Sequence, residues 1–154
     1  MTRDELRAFL APLPDEAILG LTLYGEARGE PIEGMVAVGC VIRNRMQDAK
    51  ARWGKTYRDV CLKRLQFSCW NPDDADPNFQ RVLKAATGLM ASPVVTDPAL
   101  EQCSWTAIGI SRGALADNTK AANHYHVGSM QPRPSWAQGF APLAQRGAHV
   151  FYRL

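Results

Sequence analysis

The sequence predicts an α+β domain in which helix dominates and a small antiparallel hairpin closes the C-terminal third. Three observations predict it. The chain has 154 residues, the size of one domain, so residues 1–154 are read as a single unit. Long apolar runs with helix start and stop signals fill the first two thirds. The last third instead carries two short segments rich in aromatic and β-branched residues, "ANHYHV" (122–127) and "AHVFYRL" (148–154).

The first helix is expected to start near Pro14-Asp15, with Asp15 as its cap, and to run to about Arg28 with Gly29 just beyond its end. Pro31 disfavours helical geometry at Glu30 and suits the first turn of a second helix, "PIEGMVAVGCVIRNRMQ". Its small residues Gly34, Ala37 and Gly39 would let another backbone approach. Residues 53–74 are aromatic and turn-rich, with "QFSCWNPDD" at their centre. A third helix reads from Asp76-Pro77 through Phe79, Val82, Leu83 and Ala86 to Met90, and a short one is expected over Pro98–Ile108. The two final segments then read as strands joined by a proline-rich loop. There is no repeat, low-complexity tract or linker.

Hydrophobic residues make up 46% and charged residues 21%, which argues against extensive disorder. The 18 Lys+Arg against 15 Asp+Glu give a net charge of +3. That mild excess suits an anionic polymer, such as a bacterial wall or nucleic acid. No basic run or basic–aromatic alternation supports nucleic acid, so none is expected as partner. "MTRDELRAFLAPLPDE" mixes both signs of charge without an apolar core, unlike a secretory signal. No run of 18 apolar residues suggests membrane insertion.

Four cysteines, Cys40, Cys61, Cys69 and Cys103, lack the close pairs of a four-cysteine zinc site. Free thiols are expected, or at most one bridge, with Cys61–Cys69 the candidate.

The stretch "LYGEARGEP" (23–31) puts Glu26 and Glu30 four residues apart at the end of an apolar run. At 100° per residue, Leu19, Leu23, Glu26 and Glu30 fall on one stripe, so Glu26 continues an apolar face. Partial burial favours the protonated form of a carboxyl, which a general acid requires. Gly25 would let a substrate approach the backbone. Glu30, set off by Gly29 and Pro31, is expected to cap the second helix and to favour its positive end. A plain capped helix junction would explain both residues equally well.

His124-x-His126 puts two imidazoles on one side of a strand, and His149 could supply a third zinc ligand from its neighbour. That alternative would be a zinc-dependent amidase or endopeptidase. The same rings could equally support a groove through hydrogen bonds. In "QFSCW", Gln66 and Ser68 share one side of an extended segment, and Phe67, Cys69 and Trp70 could pack. Ser68 lacks the G-x-S-x-G setting of a nucleophile.

The blocks "LYGEARGEPIEGMVAVGCVIRNR", "QFSCW", "NHYHVGSMQPRPSW" and "GAHVFYR" follow in the order and spacing of SleB-type cell-wall hydrolases. The chain resembles this family of spore-cortex-lytic enzymes and phage lysins over about residues 16–153. The resemblance implies a lysozyme-like domain acting on peptidoglycan. It further implies a lytic transglycosylase that cuts between N-acetylmuramic acid and N-acetylglucosamine and leaves 1,6-anhydromuramic ends. The family's catalytic glutamate falls on Glu26.

On this reading Gln66, Ser68, His124, Tyr125 and His126 are candidates to hydrogen-bond substrate, and Tyr24, Phe67, Trp70 and Trp136 to shape the sugar cleft. Glu30 is structural, and neither a metal nor another cofactor is expected. Relatives are exported and often carry a wall-binding domain. Lacking both features, the chain resembles a phage or prophage endolysin. It would be a monomer, made in the host cytoplasm and released to the wall through a holin lesion. A non-catalytic wall-binding virion module is the remaining alternative.

Overall fold

The computed structural model describes residues 1–154. Six helices precede the sheet: α1 Arg3–Leu10, α2 Asp15–Ala27, α3 Ile32–Met46, α4 Tyr57–Cys61, α5 Pro77–Ala91 and α6 Pro98–Ser111. Three short strands follow, β1 His124–Val127, β2 Ala144–Arg146 and β3 His149–Tyr152. Single 3-10 turns at Ser68–Trp70 and Ser135–Ala137 complete the chain. None of the helices is long and apolar enough to cross a membrane.

α2 is the axis of the molecule, packed by α3, α4, α5 and α6. Ile18, Leu19, Leu21, Thr22 and Leu23 are all sealed from solvent, so this helix is buried on every side rather than along one stripe. Glu26 stands where that burial ends. Gly20 allows the tight α2–α6 crossing, because a Cβ there would sit 3.4 Å from the Cα of Ser104. Gly39 of α3 likewise faces Ile110 of α6, as its small side chain suggests.

The helix ends differ from expectation. Pro14, not Asp15, is the N-cap of α2; Asp15 lies inside the first turn and pairs with Arg58 at 3.3 Å. Gly29 does not adopt a left-handed conformation. Arg28 ends the helix in right-handed geometry and donates from its own guanidinium to the carbonyls of Tyr24 (3.0 Å) and Gly25 (3.4 Å). Pro31 is the N-cap of α3 rather than its first residue. Asp76 and Asp97 cap α5 and α6, each followed by proline at N1.

Two helices and one strand have weak sequence signals. α1 is held by a reciprocal Thr2–Glu5 capping box. α4 has five residues, too short for a periodic pattern. β1 and β3 pair antiparallel as predicted, but β2 pairs with the outer side of β3, giving the order β1-β3-β2. All four cysteines are buried free thiols, so the Cys61–Cys69 bridge does not form. Burial pushes the Cys61 and Cys103 thiols up to about 12, which leaves them protonated and unreactive.

Candidate active site

Glu26 is half-buried in the last turn of α2, opposite the 3-10 turn and the inner face of the sheet. Phe67 is extended and the turn begins at Ser68, which aims the Ser68 hydroxyl and the Cys69 amide at one carboxylate oxygen. The hydroxyl donates to Glu26 Oε1 at 3.2 Å and the Cys69 N–H at 3.0 Å. The Tyr125 hydroxyl reaches Glu26 Oε2 at 3.5 Å, the outer limit of a hydrogen bond. Burial, and then the nearby Glu26 charge, raise the Tyr125 phenol well above its ordinary value, so it stays a donor.

Gly25 brings this turn close. A Cβ there would lie 2.4 Å from Cys69 Cβ, so the missing side chain makes room for Cys69 rather than for a substrate.

Glu30 does not cap α3. Its Oε2 accepts the Ala148 N–H at 3.0 Å, across the β2–β3 turn. Gly147 in that turn has φ +55, and a Cβ there would collide with the carboxylate. Glu30 Oε1 lies 3.3 Å from His149 Nδ1, yet the angle is wrong for a hydrogen bond and Nδ1 has no partner. The contact is electrostatic. Burial holds the His149 imidazole below its ordinary value, while Glu30 acts in the opposite direction. The helix junction is thus fastened to the hairpin, and a His149 ring meets Tyr125 edge-on at 5.0 Å.

Strand alternation splits the histidines. In the β1–β3 register, Tyr125 lies opposite Phe151, while His124 and His126 lie opposite Tyr152 and Val150. His149 lies opposite Val127, on the Tyr125 face. The two histidines of His-x-His and His149 therefore occupy opposite faces and cannot meet around one ion, which corrects the zinc alternative. His126 stacks on Tyr152 at 5.4 Å and accepts from or donates to its hydroxyl at 3.1 Å. Trp136 covers His124 and His126 at 5.1 and 5.7 Å. His124, His126 and Trp136 thus form an aromatic cluster on the face turned from Glu26.

The remaining predicted residues are also distributed. Phe67 and Trp70 are buried; the Trp70 indole donates to Thr22 Oγ1 at 2.8 Å, so neither ring shows a face to a sugar. Gln66 accepts from Arg45 Nη1 at 3.3 Å and does not reach Glu26. Tyr24 lies about 200° around α2 from Glu26, where its hydroxyl donates to Asp97 at 2.6 Å.

The Cys69 amide, the Glu30–His149 contact and Arg45 carry no separate signal in the sequence reading. Arg45 is buried between Trp53 and Phe67, 5.5 and 5.4 Å from their rings, and donates to the Asn123 carbonyl at 2.7 Å. It ties α3 to the approach of β1. An unpaired buried cation is costly, and its burial lowers the guanidinium below its ordinary value.

Two solved structures share this architecture. The catalytic domain of the Bacillus cereus SleB protein matches with 23% identity and a TM-score of 0.59, covering 89% of this chain and 88% of that one. The catalytic domain of the germination-specific lytic transglycosylase SleB from Bacillus anthracis matches with 23% identity and a TM-score of 0.60, covering 89% and 92%. The mostly helical fold with its small antiparallel sheet is theirs. No curated protein shows a significant match. The profile of the Cell Wall Hydrolase family matches residues 29–152, from three residues after Glu26 to the end of β3. On that match the chain belongs to the Cell Wall Hydrolase family.

Proposed function

We propose that the protein cleaves the glycan strand of peptidoglycan between N-acetylmuramic acid and N-acetylglucosamine, as a lytic transglycosylase with Glu26 as its acid and base. The observation that carries this reading is the asymmetric environment of the Glu26 carboxyl. Oε1 is occupied by Ser68 and the Cys69 amide, whereas Oε2 has only the distant Tyr125 hydroxyl. Oε2 is therefore the oxygen available to carry and deliver a proton. That the Bacillus anthracis protein of this fold is a lytic transglycosylase supports the choice of reaction.

Glu26 protonates the glycosidic oxygen as the bond to muramic C1 breaks through an oxocarbenium-like state. The muramic C6 hydroxyl then closes on C1, and its proton passes to the Glu26 carboxylate. The acid is regenerated without water or a carboxylate nucleophile. Glu30 suits no nucleophilic role here, because its carboxyl is held at the β2–β3 turn by the Ala148 amide, with the His149 ring beside it. Ser68 and Tyr125 hold Glu26 and are placed to touch the sugar beside it.

Mass spectrometry of digested, purified peptidoglycan tests the reaction. Anhydro-muropeptides are the expected product, and reducing-end sugars would show a hydrolase instead. Free peptides from an intact glycan would overturn the glycosidase reading. The narrower role, a monomeric phage or prophage endolysin that reaches the wall through a holin lesion, follows from the sequence expectation. Expression in a bacterial host should lyse cells only when a holin is co-expressed; lysis without one would refute the release route.

A further inference from the structure

A second groove, about 560 Å³ in volume, lies between α5 and the segment leading into α6. Tyr24, Arg81, Lys84, Gly88, Val95 and Asp97 are among its lining residues. Its charge is net positive, Arg81 and Lys84 against Asp97. α5 contains no acidic residue, and Arg81 and Lys84 stand exposed on one helical face without an ion-pair partner within 4.0 Å. Asp97 forms an ion pair with neither. One of its oxygens caps α6 through the Ala99 and Leu100 amides, and the other receives the Tyr24 hydroxyl. The apolar part of the wall comes from residues such as Leu89, Val94 and Val95.

Gly88 is the second observation. Glycine inside a helix costs about 0.5–1 kcal/mol relative to alanine. At Gly25 a close neighbour demands it, but a Cβ at Gly88 would meet nothing within 4 Å, and its backbone has no positive φ. Neither packing nor conformation requires this glycine, and its missing side chain leaves the groove open.

Tyr24 precedes Glu26 by two residues, so the groove and the carboxyl lie on opposite sides of α2. Half-way round a helix is a path of about 16–19 Å, longer than the roughly 14 Å of an extended tetrapeptide, so a peptide held in the groove hangs from a sugar beyond the one at Glu26. Mixed small apolar groups and carboxylates are the features of the peptide that muramic acid bears. We infer that this groove binds the acidic peptide stem of peptidoglycan, with Arg81 and Lys84 taking its carboxylates and the apolar wall its methyl groups. The inference rests on the reading of peptidoglycan as substrate, and makes the enzyme selective for stem-bearing glycan.

Titration calorimetry with the synthetic stem tetrapeptide L-Ala-γ-D-Glu-diaminopimelate-D-Ala tests it on the full chain. The wild type and Glu26→Gln should bind equally. The double charge reversal Arg81→Glu/Lys84→Glu and the groove-filling Gly88→Phe should each weaken binding at least tenfold. Both change exposed positions, and thermal melting checks that they fold. On intact peptidoglycan these variants should raise KM several-fold with kcat unchanged, while on glycan stripped of its peptides they should match the wild type. Failure of the wild type to bind the peptide overturns the inference. So does undiminished binding by folded Gly88→Phe, or binding of polyglycerol phosphate in place of the peptide. Loss of the glycosidase reading would show separately, in the reaction products, since peptide binding does not depend on bond cleavage.

Discussion

On one face of β1, Tyr125 reaches toward Glu26 and meets the edge of His149; on the other, His124 and His126 lie beneath Trp136 and beside Tyr152. Three consecutive residues thus contribute alternately to an aromatic cluster and to the carboxyl site. The difference is one of period. Strand side chains alternate every residue, so "HYHV" cannot present both histidines and the tyrosine to one substrate. An aromatic-rich motif beside Glu26 is therefore divided by the sheet, and one half supports the other.

Breaking the Glu26 face should give the largest effect. Glu26→Gln keeps the size and the hydrogen bonds from Ser68 and Cys69 but removes the transferable proton. Loss of a general acid costs about 10²–10⁴ in rate, so kcat should fall by that range with thermal stability intact. A variant within tenfold of wild type would remove Glu26 from the chemistry. Breaking the opposite face should act on folding instead. Trp136→Ala exposes His124 and His126 and should cost about 2–4 kcal/mol in denaturant unfolding, with kcat per folded molecule preserved. A stable Trp136→Ala protein that had lost its activity would place that face in the substrate cleft.

Tyr125→Phe sharpens the contrast, because it deletes one hydroxyl from the Glu26 face and leaves the ring packed. We expect about a tenfold fall in kcat and a stability change of about 0.5–1.5 kcal/mol. Unchanged kinetics would show that the 3.5 Å contact stays slack during the reaction. Glu30→Gln should act mainly on stability, by about 1–3 kcal/mol, since it weakens the link to Ala148 and His149. A folded Glu30→Gln enzyme without activity would instead make Glu30 a participant.

The smallest effect separates the two faces by pH. Burial, aided by Arg45 and Arg52, lowers His124 to about 4 from an ordinary histidine value near 6.5. The unfolded chain then binds more protons than the folded one between these values. Stability from this source is complete above about pH 6.5 and declines as pH falls toward 4. His124→Phe should flatten that decline in the unfolding midpoint, and an unaltered slope would assign it elsewhere. His149, lowered in the same sense, contributes from the Glu26 face.

Particular residues show how far the sequence could be read. Pro31, Asp76-Pro77 and Asp97-Pro98 mark helix starts because capping and proline geometry are local. α4 and β2 are too short to impose a period, and their positions come from what they pack against. Glu26 stood out by its place at the end of a buried run. Phe67 and Trp70 did not declare whether they stack on sugar or fill the core, because an aromatic ring satisfies either environment. The contact that Gln66 makes is hidden for a related reason. Its partner Arg45 lies 21 residues away in sequence.

By itself the sequence determined the helical body, the antiparallel pairing of its last strand with "HYHV", and the setting of Glu30 apart from Glu26 between Gly29 and Pro31. These follow from backbone preferences acting over a few residues. Only the tertiary structure decided that the Cys69 amide meets Glu26, that Glu30 fastens the β2–β3 turn, and that the histidines part to opposite faces. Each of those depends on segments distant along the chain being brought within about 3 Å, the reach of a hydrogen bond. Local pattern sets where a side chain can point; packing sets what it finds there.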